Sequence, residues 1–121
     1  AASLVSENKT LAHPASVDTI PTWGGQEDHV SMGMWAARKA YMIAENTLQV
    51  IAIELLAGAQ AIYLHEKALQ PGAGVDIAYR AIRAQIPTLE VDRYLAPDLL
   101  TMTDMVRSNV IARRVARLLK R

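Results

Sequence analysis

The stretch that decides the fold is residues 30–67, VSMGMWAARKAYMIAENTLQVIAIELLAGAQAIYLHEK. It contains no proline, and its two glycines, Gly33 and Gly58, cost a helix only about 1 kcal/mol each. Asp28 and Ser31 are good N-cap residues. The pattern therefore predicts one helix that begins between them and runs to about Lys67. At 1.5 Å per residue such a helix is roughly 55–60 Å long. A compact globule of this chain length has a diameter of only roughly 35 Å. The helix is predicted to be longer than its own chain can cover.

It is also apolar on too many sides. With 100° between successive residues, Leu48, Ile51, Leu55, Ala59 and Ile62 share one face. Val50, Ile53 and Leu64 lie roughly opposite, and Leu56 lies between. Only Gln49, Glu54, Gln60 and the tip of Tyr63 interrupt the ring. A helix apolar all round belongs in a large core. At about 25 cal/mol per Å² of apolar surface, a wet outer face would forfeit several kcal/mol. The sequence thus predicts that other chains, or the rest of a larger protein, cover this helix.

Downstream, PGAG at 71–74 breaks the helix. A second helix is predicted over Val75–Ile86, with Ile77, Ala81 and Ala84 facing in and Arg80 and Arg83 facing out. Pro87 stops it, and TLEVDRYLA reads as an irregular link. Pro97 suits the first turn of a helix through DLLTMTDMVR. Ser108-Asn109 marks a break, and VIARRVARLLKR forms a last amphipathic helix ending on basic residues, as the helix dipole prefers. The predicted class is all-α: one long central helix with shorter ones around it.

Upstream lies HPASVDTIPTWGGQEDHVSMG, residues 13–33. Pro14 and Pro21 remove donors, and Gly24-Gly25 permits unusual backbone angles. Ser16, Asp18, Thr19 and Thr22 can bond the nearby backbone. Val17, Ile20 and Trp23 give the loop something to bury, which favours order. Residues 1–12, with a polar SENKT centre, read as irregular or extended. The chain is accordingly divided into an ordered loop segment, 1–27, and a helical segment, 28–121, within a single domain fragment. Loops held by a rigid scaffold carry function disproportionately often, so the acid-rich end of this one draws the search for chemistry.

Composition narrows the classes. The chain has no cysteine, which excludes thiolate chemistry and a disulfide framework and fits a reducing, cytoplasmic compartment. A net charge of +1 makes no electrostatic case for nucleic acid or membrane. The start, AASLVSENKT, does not read as a signal peptide, and Glu54 interrupts the best candidate for a membrane span. His13, His29 and His65 show no metal-ligand spacing. There is no phosphate-binding loop, and Gly72 and Gly74 lack the strand–turn–helix context of a dinucleotide site. The basic end, Arg113, Arg114, Arg117, Lys120 and Arg121, reads as a solvated helix face. Met32, Met34 and Trp35 read as core; Arg38, Lys39 and Glu45 read as exposed or paired on the helix.

Glu27 and Asp28 are the best chemical candidates. Both precede the long helix, where the dipole favours an ionised carboxylate. Asp28 or Ser31 suits the cap, which frees Glu27 to point into whatever the loop lines.

The blocks HPASVD and QEDHVSMG, together with AARKA, VIAIELLAGAQAI and DRYLAPD, occur in this order and spacing across nearly the whole chain. The sequence resembles the C-terminal part of the histidine ammonia-lyase family. More broadly it is similar to the aromatic amino-acid ammonia-lyases and aminomutases that use the methylidene-imidazolone (MIO) group. The resemblance implies a portion of a large helical-bundle lyase, a homotetramer whose active sites draw on three subunits. It implies elimination of ammonia from an aromatic amino acid, with L-histidine giving urocanate as the first choice. A tyrosine or other aromatic aminomutase or lyase of the family is the alternative, and a non-catalytic helical oligomerisation module is a third reading. The family makes MIO from an Ala-Ser-Gly segment, and no Ala-Ser-Gly occurs here, so the resemblance implies a chain that is inactive alone. Its partners would be a missing N-terminal portion or further copies. The glutamate of QEDHVSMG, here Glu27, lines the active site in histidine-type members, whereas phenylalanine-type members typically carry an amide. Gln26 is a neighbouring substrate-binding candidate. One departure stands out: the family commonly has a Ser-Ala-Asn type segment where this chain has Trp23-Gly24-Gly25.

Overall fold

The computed structural model describes residues 1–17, 19–65 and 70–118. Helices account for the regular structure among these residues: α1 (Ala2–Leu11), α2 (Gly33–Leu64), α3 (Ala73–Arg83), α4 (Ala96–Arg107) and α5 (Val110–Ala116). Short 3-10 turns cover Ala15–Val17 and Trp23–Gly25. The chain divides into two compact units, Ala1–Thr47 and Leu48–Arg121.

In the first unit, α1 is a correction to the irregular segment read from the sequence. It lacks glycine and proline, carries Lys9 in its last turn, and stops where Pro14 disfavours helical angles at His13. The helix buries no residue. Polar contacts with α2 accompany it instead: Asn46 Nδ2 donates to Glu7 Oε2 and to Asn8 Oδ1, both at 3.0 Å. Those partners are 38 and 39 residues apart, beyond any local pattern.

The central helix α2 holds 32 residues, about 48 Å of helix. It begins at Gly33, later than the sequence suggested, which leaves Asp28 five residues upstream and unsuited to capping it. The expected end at Lys67, like Asp18 of the loop and the last turn beyond Leu118, lies outside the described residues. By length and composition alone α2 would also pass for a membrane span, although Glu54 sits within it. Only 11% of its most apolar 18-residue window is buried. Met34 and Trp35, read as core, are exposed, as are Val17, Ile20 and Trp23 of the loop. Of the apolar ring predicted to need a cover, Ile51, Tyr63 and Leu64 are exposed, Ala59 is buried, and Leu48, Val50, Ile53, Leu55, Leu56 and Ile62 are half-buried.

The second unit has the hydrophobic core. Ala52 and Ala59 of α2, Ala81 and Ile82 of α3, Ile86 just beyond it, and Met102 and Met105 of α4 form one buried cluster. Helix α3 packs on α5, and α4 joins α5 through a break at Ser108-Asn109, where Asn109 takes a left-handed φ of 56°. Asparagine tolerates that conformation better than most residues. The inward face of α3 differs from the expected one: Ala84 is exposed, and Arg83 is half-buried rather than outward. Its guanidinium stacks 5.6 Å from the Tyr79 ring centroid and donates to the Gln60 side chain at 3.1 Å.

The link after Pro87 is irregular, as read, but it is firmly tied down. Gln60 Nε2 donates to the Leu89 carbonyl at 3.0 Å, and Leu89 N–H donates to Gln60 Oε1 at 3.1 Å. Arg93 donates to the carbonyls of Pro87 and Thr88, both at 2.9 Å, and pairs with Asp98 at 2.7 Å. Gln60, a polar gap in the apolar ring, is therefore the clamp that fixes the link to α2.

Candidate active-site loop

Residues 13–32 join α1 to α2 within the first unit. Two features give the loop its shape. The first is an anchor at its start. Lys39, the residue read as exposed or paired, is buried at 8% exposure and donates its ammonium to the His13 carbonyl. The same ammonium lies 5.8 Å from the Trp35 ring centroid, within cation–π range. His13, Pro14, Ile20, Met32, Trp35 and Lys39 help to line a cleft of about 340 Å³. Glu27 and Gln26 do not belong to its walls.

The second feature is a left-handed turn. Thr22 is extended, at φ −123° and ψ 157°. Trp23, Gly24 and Gly25 then take φ values of 46°, 66° and 81°. Gly25 N–H closes the turn on the Thr22 carbonyl at 2.9 Å. Glycine reaches these angles freely, whereas a bulky L-residue such as tryptophan is strained there. The turn folds the chain back so that the Thr22 hydroxyl donates to Glu27 Oε2 at 3.1 Å. Gln26 closes the same turn through its backbone, with N–H donating to the Trp23 carbonyl at 3.4 Å. The side chains of Gln26 and Glu27 are exposed, so both are presented at the surface of this chain rather than sealed within it.

His13 contributes a carbonyl to the anchor, and His29 and His65 are exposed at separate places in the chain. Sequence reasoning did not single out Thr22 beyond its capacity for local hydrogen bonds, and it misplaced Lys39. A threonine five residues before an acid, across a Gly-Gly pair, could have signalled the first contact. Nothing local signals the second.

A long, partly exposed apolar helix, shorter helices around one core and a shaped acidic loop ahead of the long helix define an all-α chain. A family model described as aromatic amino acid lyase matches residues 1–84, and the chain belongs to that family. It is 55% identical over 106 residues to the histidine ammonia-lyase of Gloeobacter violaceus, covering 88% of this chain and 20% of that protein. It is 50% identical over 112 residues to the histidine ammonia-lyase of Deinococcus radiodurans, covering 93% of this chain and 21% of that protein. The fold is similar to the crystal structure of histidine ammonia-lyase from Trypanosoma cruzi, with a TM-score of 0.89 and 41% identity over 96% of this chain and 23% of that one. It is also similar to tyrosine aminomutase from Streptomyces globisporus, with a TM-score of 0.85 and 37% identity over 96% of this chain and 22% of that one. The chain spans about a fifth of the length of the curated relatives it matches.

Proposed function

We propose that this chain is the C-terminal part of a histidine ammonia-lyase, an enzyme that converts L-histidine to urocanate and ammonia. The supporting observation is the carboxylate of Glu27, held at the loop surface by Thr22 inside a sequence about 50% identical to proteins named histidine ammonia-lyase. The carboxylate contacts the substrate, and Gln26 beside it is a second substrate contact. The chain's residues do not fit a self-made MIO group. Ala2-Ser3 is followed by Leu4 and Ala15-Ser16 by Val17, so neither forms the Ala-Ser-Gly precursor. The electrophile comes from another portion of the enzyme, and this chain contributes one wall of the site.

The exposed apolar side of α2, including Ile51, Tyr63 and Leu64, supports assembly with the N-terminal portion and with further copies into a homotetramer. The working compartment is the cytoplasm. The test is to follow urocanate absorbance with this chain alone and after mixing with a separately made N-terminal portion. The chain alone is expected to be silent and the mixture active; activity from the chain alone overturns the reading. Glu27→Gln in the full-length enzyme should lower kcat/KM for histidine roughly 10- to 100-fold. The similarity to tyrosine aminomutase supports a second reading, in which a β-amino acid accumulates instead of the unsaturated acid; chromatography of the products separates the two.

A further inference from the structure

We infer that Thr22 is a positioning residue for the reaction, acting through Glu27, and that it sharpens selection for substrates with a ring N–H. The inference rests on the reading of Glu27 as the substrate-contacting acid.

A surface glutamate has three side-chain torsions and samples several rotamers, so a freely moving Glu27 would spend only part of its time aimed at a substrate. Here one rotamer is selected. The Thr22 hydroxyl donates to Oε2 at 3.1 Å, across a turn closed by the 2.9 Å bond from Gly25 N–H to the Thr22 carbonyl. A hydroxyl-to-carboxylate bond is charge-assisted and stronger than a neutral one. It uses only part of the acceptor capacity of the carboxylate, which retains lone pairs on both oxygens for a second donor. A ring N–H is such a donor; a hydrocarbon ring is not.

The backbone makes this arrangement possible. Bringing Thr22 back to Glu27 takes positive φ at Trp23, Gly24 and Gly25 in succession. Nothing lies within 4 Å of a Cβ built on Gly24 or Gly25, so the glycines serve the turn's angles rather than close packing. The turn thus places the hydroxyl, and the hydroxyl orients the acid.

When only a fraction of the protein holds the competent rotamer, apparent affinity falls by that fraction. Thr22→Val, which keeps the shape and removes the donor, should raise KM for histidine roughly 3- to 10-fold with kcat nearly unchanged. The inhibition constant of phenylalanine as a competing ligand, which offers no ring N–H, should not change. Thr22→Ser restores the donor and should restore KM. In a Glu27→Gln background, Thr22→Val should add less than about twofold, because the acid through which it acts is gone.

The experiment is steady-state kinetics of these four variants in the full-length enzyme, with histidine as substrate and phenylalanine as competing ligand. Alongside it, NMR couplings of the Glu27 side chain in the present chain should show one rotamer in the wild type and averaging in Thr22→Val. Wild-type KM in Thr22→Val, equal losses of affinity for histidine and phenylalanine, or an undiminished effect in the Glu27→Gln background each overturns the inference. If Glu27→Gln alone leaves histidine kinetics untouched, the reading of Glu27 falls and Thr22 loses its role with it. A lost effect at Thr22 beside a clear effect at Glu27 defeats only the present inference.

Discussion

The ammonium of Lys39, on the second turn of α2, donates to the backbone carbonyl of His13, 26 residues earlier in the chain. Lys39 is buried, and this contact ties the start of the HPASVD loop to the helix. A buried lysine persists where its charge is satisfied, and here a carbonyl and the Trp35 ring share that task.

Lys39→Met keeps the apolar stem and removes the donor, leaving the His13 carbonyl without its partner. The expected cost is roughly 1–3 kcal/mol, read from urea denaturation. Hydrogen exchange should quicken around residues 13–17, while the core around Met102 keeps its protection. Uniform protection of the loop in this variant would show that Lys39 does not hold it.

Trp23 sits at φ 46° and is 78% exposed, so it bears left-handed strain with little burial to offset it. Trp23→Asn should stabilise the chain by up to about 1 kcal/mol, because asparagine tolerates this region. Gly24→Ala, at φ 66°, should destabilise it by about 1 kcal/mol for the converse reason. Paired denaturation curves check both signs.

Gln60 clamps both backbone groups of Leu89 and accepts from Arg83. Gln60→Leu suits the apolar ring of α2 yet strands those groups, so it should destabilise by roughly 1–3 kcal/mol despite its gain in hydrophobicity. Arg83 Nε is already buried without a partner among the described residues, which leaves Arg83 poorly placed to absorb the loss. A neutral result would identify the link as self-supporting.

The Tyr63 hydroxyl donates to Glu90 at 3.1 Å, and that bond, with the carboxylate's charge, raises the tyrosine above its ordinary value near 10. A raised folded-state value means that the contact's contribution to stability is fully present below the ordinary value. It is lost as pH climbs through the raised one. Absorbance titration should find Tyr63 ionising late, and Glu90→Ala should return it to the ordinary range. No change in that variant would remove Glu90 as the cause.

The order of helices α2 to α5 and their breaks were legible because they follow from local chemistry. Proline positions and a long run of helix formers act within a few residues, although α3 begins at Ala73, inside the PGAG read as a break. The excess of apolar surface on α2 was legible only in part: Ile51 and Leu64 are exposed as counted, whereas Met34, Trp35, Tyr41 and Met42, outside the counted ring, carry much of the exposed apolar surface. Helix α1 was not legible, because its contacts with Asn46 lie 38 and 39 residues away. The inward turn of Arg83 and the burial of Lys39 escaped for the same reason: both satisfy their charge on distant groups that a pattern of hydropathy cannot see.

The loop before α2 divides along the same line. The sequence by itself determined that residues 13–27 cannot be regular helix, that the stretch offers Glu27 and Asp28 as acids, and that the chain resembles an aromatic amino-acid lyase lacking its electrophile. Only the tertiary structure decided that Asp28 stands too far from Gly33 to cap α2, that Lys39 pins the loop's beginning, and that Thr22 meets Glu27. Residue types and spacing limit which backbone angles and donors are available. Which donor meets which acceptor depends on how the turn at Trp23–Gly25 and the buried anchor at Lys39 close the chain in space.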